Sequence, residues 1–477
     1  MSHLPGGKQG FVIKGTDNDA QALYFEGNRA WSAGELGRAE ECYRAAIAGA
    51  PQLAEAHANL AFVLDLRNAI EDADASYRRA IDIDPRQALV QRNYGAFLAK
   101  HKRFDAAEKA ARESIRLDPN SAAAWSNLGV LLACVKREVE AEQCQRQAIA
   151  LDPLDRIAPF NLSYLLLRQA RFSEGWACLD ARKSHQPLLP EPACPRWQGE
   201  PLAGKRLLIE FEAGHGDMIQ FCRYASVLKA QGARTVALTC HPALKTLFAS
   251  LDGCDEIYAI DEHVPTDCWD FWTPMLSVPY RCGTNLSSLP ARIPYLAPAP
   301  DRVARWSSVL RDQGMRVGLV WKGNANFEND ADRSLAGLRE LAPLWSIPGI
   351  TFVSLQKGPG QEEASYPPVG MPIVDLASSL HDFHDTAAVA RQLDLVISVD
   401  TAVAHLAGAI GTPCWILLPD YKTDWRWMKD REDTPWYPGV VRLFRQERMG
   451  DWAGTILRVQ RELRQLQAAG LAPTGRD

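Results

Sequence analysis

Leu393–Trp427, LDLVISVDTAVAHLAGAIGTPCWILLPDYKTDWRW, is the stretch whose reading decides the fold. Its opening apolar run, Leu395 to Val399, reads as a buried strand that ends in Asp400-Thr401. A small-residue helical stretch, Thr401 to Ala409, starts at once and carries His405 one turn in. It stops near Gly411-Thr412-Pro413 and gives way to a second apolar run, Cys414 to Leu418. Strand, polar turn, helix, strand is one βαβ unit, and open α/β sheets bind ligands outside the carboxyl ends of parallel strands. The free N–H groups of the helix start, with the positive end of its dipole, suit a diphosphate in that crevice. A plain N-cap on a core helix would account for Asp400 or Thr401 equally well.

Working outward, short apolar runs alternate with helical stretches from Lys205 onward. Strands are expected at Leu207–Phe211, Thr235–Thr239, Glu256–Ile260, Val317–Trp321, Thr351–Leu355, Leu395–Val399, Cys414–Leu418 and Val441–Phe444. Helical stretches are expected around 218–231, 241–250, 335–345, 384–392 and 401–409. This alternation implies parallel sheets. The proline-rich segment 282–313 interrupts it and splits the region into two halves, which fits two doubly wound sheets with a cleft between them.

The first 186 residues read differently. Pro51, Pro85, Pro119 and Pro153 recur every 34 residues, as do Gly27, Ala61, Gly95, Gly129 and Ala39, Ala73, Ala107, Ala141. Small residues let paired helices approach, and each proline ends a unit. This period resembles the tetratricopeptide repeat (TPR). A degenerate fifth unit around Asn161–Trp176 reads as two residues out of phase and as the cap of the array. Such arrays hold a peptide or partner in their concave face, although a pure scaffold has the same signature. The organisation expected is a tail (1–17), the array with its cap (18–186), a proline-rich linker (187–204) in which Trp197 is pinned to a neighbour, one sheet half (205–300), a second (314–466) and a closing tail (467–477).

The chain has 477 residues, 47% hydrophobic and 23% charged, with net charge −5. That is ordinary for a folded protein and argues against nucleic acid or an anionic membrane as main partner. No stretch is long and apolar enough for a signal peptide or transmembrane helix. Eleven cysteines without a C-x-x-C pair read as reduced thiols, which suits a cytoplasmic location.

Four polar loops each follow a strand. They are Glu212-Ala213-Gly214-His215-Gly216-Asp217; Trp321-Lys322-Gly323-Asn324 running on to Asp330, Arg333 and Ser334; Leu355-Gln356-Lys357-Gly358; and Asp400 to His405. Each alone could be a cap or an ordinary loop; four at strand ends point to a ligand cleft. With Asp424-Trp425-Arg426-Trp427 and Pro435-Trp436-Tyr437-Pro438, these motifs resemble bacterial TPR-containing glycosyltransferases whose catalytic part is similar to the family 9 heptosyltransferases. The layout is also similar to that of protein O-GlcNAc transferases.

The resemblance implies a GT-B fold of two Rossmann-like halves and a metal-independent, inverting transfer from a nucleotide-sugar to a protein or glycan hydroxyl, with no cofactor. It implies Asp217 as general base, since an attacking hydroxyl must lose a proton. It places Asn324, Arg333, Ser334, Gln356, Lys357, Asp400, Thr401, Ala402 and His405 around the donor, with the helix start on its diphosphate. Gly214 and Gly216 would shape the phosphate-side loop, and His215, Asp424 and Arg426 would contact sugar or acceptor. The sequence departs from the pattern at Ala213 and His215, where related sequences tend to have Gln and Leu. His381-x-x-His384 lacks further metal ligands at sensible spacing, and Asp330-x-Asp332 lies in a polar loop and not at the end of an apolar strand. A non-catalytic TPR adaptor with a degenerate nucleotide-sugar domain is the alternative.

Overall fold

The structure is a computed structural model that describes residues 18–182, 192–310 and 314–470. The chain forms two compact units, the first ending at Leu162 and the second starting at Ser163. The first contains four helical pairs: Asn18–Ser32 with Leu36–Gly49, Ala54–Leu66 with Ile70–Ile83, Ala88–Lys100 with Phe104–Leu117, and Ala122–Cys134 with Glu138–Leu151. The period-34 residues explain why the pairs close. Ala39, Ala73, Ala107 and Ala141 are fully buried, and a Cβ added to Gly95 would lie 3.2 Å from the Ala111 nitrogen and 3.3 Å from the Ala107 carbonyl. Before each proline, Ala50, Asp84, Asp118 and Asp152 take φ between −135° and −138°, the extended backbone that proline imposes on its predecessor.

The second unit begins within a fifth helical pair, Ile157–Arg168 and Phe172–Asp180. The turn inside every pair uses a left-handed residue, and Gly34, Asn68, Lys102, Lys136 and Ala170 stand 34 residues apart. Ser163 and Gly175 likewise continue the two small-residue series. The fifth pair is therefore in phase, which corrects the expected two-residue slip; Ser in a glycine position and a new aromatic face had hidden the period. That face sets where the compact unit begins. Phe172 and Trp176 enter an aromatic cluster with Phe221, Trp425 and Trp436, with ring centroids 5.3–6.4 Å from Trp176. The array was expected to run to residue 186; its in-phase fifth pair runs to Asp180, and the first compact unit closes at Leu162.

Residues 187–191 of the expected linker lie outside the described residues, as do the tail 1–17 and residues 471–477. From 192 the chain lies along a sheet edge: the Trp197 N–H donates to the Trp272 carbonyl at 2.7 Å, and Trp272 N–H to that of Pro195 at 3.2 Å. Trp197 is buried there.

Both sheets are parallel throughout. The first has the order β3-β2-β1-β4, from Glu256–Ala259, Thr235–Cys240, Arg206–Glu210 and Phe271–Pro274. The second has the order β10-β9-β8-β5-β6-β7, from Val441–Arg445, Cys414–Leu418, Leu395–Val399, Met315–Val320, Ile350–Ser354 and Val374–Asp375. The eight expected strands are present. β4 and β7 were not expected, since β4 is mixed in character and ends in proline and β7 spans two residues. The helix expected over 218–231 breaks into His215–Phe221 and Tyr224–Ala230. The helix expected near 335–345 is a 3₁₀ stretch, Leu338–Ser346, with Pro343 inside it removing a backbone donor. The final helix runs to Ala468, past residue 467 where the closing tail was expected to start. Among the described residues, no helix is long and apolar enough to cross a membrane.

Candidate functional site

The site lies where strand-end loops of the two sheets meet. After β1, Ala213 takes φ +66° and Gly214 starts the His215–Phe221 helix. The Gly214 N–H donates to Asp217 Oδ2 at 2.8 Å. After β8, Thr401 precedes the Ala402–Ile410 helix without a side-chain cap, and its hydroxyl bonds Ser398 Oγ at 3.0 Å. The two helices touch at Gly216. A Cβ there would stand 2.9 Å from His405 Cδ2 and 3.5 Å from Ala402 Cα, so close approach, not turn geometry, requires glycine.

Arg426 joins the two sides. It is only 7% exposed and forms ion pairs with Asp217 and Asp424, the latter at 3.0 Å to each oxygen. Its Nε donates to Gln220 Oε1 at 2.6 Å, and its guanidinium lies 4.5 Å from the Trp425 ring centroid. Arg426 is thus the counter-ion of two carboxylates. Both Asp217 oxygens are engaged, one by Arg426 and one by Gly214.

Asp400 is the electrostatically loaded group. Burial first, and then the Asp424 charge, push its carboxyl up to about 6, while Trp427, Arg333 and Arg426 hold it back. His405 is a buried ring that stacks on Trp427 at 5.1 Å and shares a 2.8 Å hydrogen bond with the Tyr437 hydroxyl. Burial, Arg426 and Arg223 hold it well below the usual histidine range, so it contributes packing and not charge.

The remaining residues fall into two groups. Arg333 pairs with Asp330 at 3.1 Å, and Asp330 also accepts from Ser334 Oγ at 2.9 Å; Ser334 Oγ in turn accepts the Gly323 N–H at 2.8 Å. Asn324 is exposed and caps its own turn through Asn326 N–H. Gln356, expected at the donor, is a buried tie between loops. Its Oε1 accepts the Trp321 and Lys322 N–H groups at 2.9 and 3.0 Å, and its Nε2 donates to the Lys322 and Pro359 carbonyls. Lys357 Nζ donates to the Ala377 carbonyl at 2.5 Å. His215 packs 4.2 Å from His241 and 5.2 Å from Phe383, and burial, then His241, lower it to about 4. It forms a neutral cleft wall.

Sequence reasoning missed three members. Gln220 is fully buried beside Arg426. Arg223 is buried, donates to the Trp436 and Pro290 carbonyls at 2.8 and 3.1 Å, and lies 4.1 Å from the Tyr295 ring. Tyr164 is raised by burial and by Asp424, which places it near the carboxylates. No periodicity distinguishes any of them, since each reads as an ordinary helical residue. His384 Nε2 accepts the Ala299 N–H at 2.8 Å. Among the described residues, no three His, Cys, Asp or Glu side chains converge as a metal site.

A family model, the tetratricopeptide repeat, matches residues 24–88 and 96–155. The N-terminal array consists of tetratricopeptide repeats. Protein FlbA of Caulobacter vibrioides is 29% identical over 331 residues, covering 64% of this chain and 54% of that protein. The chain thus spans about half the length of this curated relative. The matched stretch is longer than the repeat unit, so the likeness extends into the sheet-bearing unit. Among solved structures, PilF of Pseudomonas aeruginosa is 25% identical with a TM-score of 0.34, covering 36% of this chain and 80% of that one. MamA of Desulfovibrio magneticus RS-1 is 15% identical with a TM-score of 0.31, covering 35% and 93%. YrrB, described as a TPR protein with an unusual peptide-binding site, is 20% identical with a TM-score of 0.29, covering 34% and 84%.

Proposed function

We propose that this chain is a cytoplasmic glycosyltransferase of the GT-B kind, which moves a sugar from a nucleotide-sugar to a hydroxyl of a protein or glycan recruited by its TPR array. The supporting observation is that the helix carrying Asp217, from one parallel sheet, packs at Gly216 against Ala402 and His405 of the helix that follows Asp400-Thr401, from the other, while Arg426 pairs with Asp217 and acts electrostatically on Asp400. In this reading the diphosphate rests on the N–H groups at the start of the Ala402–Ile410 helix, beside Arg333. The acceptor oxygen attacks the anomeric carbon and gives its proton to Asp217. The bond from that carbon to the diphosphate breaks with its electron pair on the leaving oxygen, and configuration inverts. Arg333, Arg426 and the helix start stabilise the departing charge without a metal ion.

The test is release of nucleoside diphosphate from nucleotide-sugars in EDTA by the full chain. Asp217→Asn should retain donor binding and lose turnover; Asp400→Ala should lose donor binding. Full turnover in Asp217→Asn would remove the base assignment. The engagement of both Asp217 oxygens favours a second reading, an adaptor that binds nucleotide-sugar without turnover. Binding by the wild type with no release, even with acceptor extract supplied, would select it.

A further inference from the structure

β8 lies between β9 and β5, so the loops that follow those two strands leave on either side of Asp400. The loops meet. Asn329 Nδ2 donates to the Lys422 carbonyl at 3.3 Å, and Lys422 Nζ pairs with Glu328 Oε1 at 2.8 Å. Residues 323–330 and 420–424 therefore form a strap across the carboxyl end of β8.

The strap carries Phe327, a large apolar side chain left 44% exposed. The Arg333 guanidinium lies 4.2 Å from its ring centroid, and its Nε pairs with Asp330 at 3.1 Å. Arg333 is also close enough to Asp400 to oppose the rise of its carboxyl. Arg333 is thus in contact with Phe327 and within electrostatic reach of Asp400. An exposed ring backed by a guanidinium is a ready face for a second planar group, because stacking needs only π-surface and tolerates any base. Single exposed phenylalanines need no explanation by themselves; this one is set apart by its contact with Arg333 and by its place on a strap that adjoins the carboxyl end of β8.

We propose that Phe327 is the stacking platform for the planar base of the nucleotide whose diphosphate rests at the start of the Ala402–Ile410 helix. The inference rests on the nucleotide-binding part of the functional reading above. It adds a base subsite on a strap residue that no strand-end motif identifies.

The experiment is calorimetry of the full chain with ADP, GDP, UDP, CDP and inorganic pyrophosphate, on wild type, Phe327→Ala and Phe327→Trp. Phe327 is exposed, so neither variant threatens folding. The best-bound nucleoside diphosphate should weaken about five- to hundredfold in Phe327→Ala, the range that loss of one base–aromatic stack gives. Phe327→Trp should restore it, and pyrophosphate should bind all three proteins alike. Unchanged nucleoside diphosphate affinity in Phe327→Ala overturns the proposal. Pyrophosphate binding the wild type as tightly as every nucleoside diphosphate also overturns it, while leaving the anion site in place. No binding of any probe to folded wild type removes the nucleotide site itself, and Phe327's role with it.

Discussion

Replacing Asp400 with Asn should stabilise the protein at neutral and alkaline pH. The carboxyl of Asp400 is pushed from 3.8 up to about 6 by burial and by Asp424. A shift of roughly two units corresponds to about 3 kcal/mol, at about 1.4 kcal/mol per unit. Because the folded-state value is raised, the folded protein holds this proton more tightly than the unfolded chain does. The stabilisation is fully present below the unfolded value and is lost as pH rises through about 6. Above that pH the wild type carries the cost of an ionised, poorly compensated carboxylate, and asparagine carries none. Asp424 shares the effect, so about 3 kcal/mol is a ceiling. In the compact unit from Ser163 to Asp477 that ceiling raises Tm by at most about 5 °C. Thermal scans followed by tryptophan fluorescence should show Asp400→Asn melting higher at pH 8, with the gap closing by pH 4. A variant less stable than wild type at pH 8, or a gap independent of pH, would refute the electrostatic argument.

Other perturbations follow from the same geometry. Arg182 and Glu212 form a two-point ion pair at 2.8 and 2.6 Å, with both side chains under a tenth exposed. Arg182→Met should cost about 3–5 kcal/mol in urea unfolding by stranding Glu212; adding Glu212→Leu should recover most of that, and no recovery would contradict the account. Gly216→Ala places a methyl 2.9 Å from His405 Cδ2 and should cost about 1–3 kcal/mol of stability. A neutral result there would mean that the helices separate at little cost. An anion beside Asp400 favours its protonated form, so nucleotide affinity should rise as pH falls through about 6 and go flat in Asp400→Asn. A flat profile in the wild type would place the anion elsewhere.

The repeat array and the parallel sheets were legible because each rests on a periodicity that the chain repeats many times. Pro51 to Pro153 and the strand runs at 395–399 and 414–418 are long-range patterns that single substitutions do not erase. What escaped was set by tertiary partners. β7 is two residues long, β4 ends in proline, and the fifth pair hides its phase because Phe172 and Trp176 face a cluster assembled from distant parts of the chain. At the candidate site, the loops carrying Asp217, Asp400 and Arg333 were marked by their position after strands. The roles of Gln356 and His405 were not, because a side chain's function as loop tie or buried wedge depends on which backbone surrounds it. Arg426 as counter-ion of Asp217 joins residues more than two hundred positions apart, which no local pattern records.

The most direct test of the central claim is equilibrium binding of the full chain to UDP-, ADP-, GDP- and CMP-linked sugars in EDTA, read by thermal shift and calorimetry. A ligand that binds only the folded state raises its stability by mass action, so a weak site is still visible. The account predicts a saturable response to one nucleotide class that Asp400→Ala abolishes. No response across the panel from folded protein, or a response that Asp400→Ala leaves intact, would contradict it.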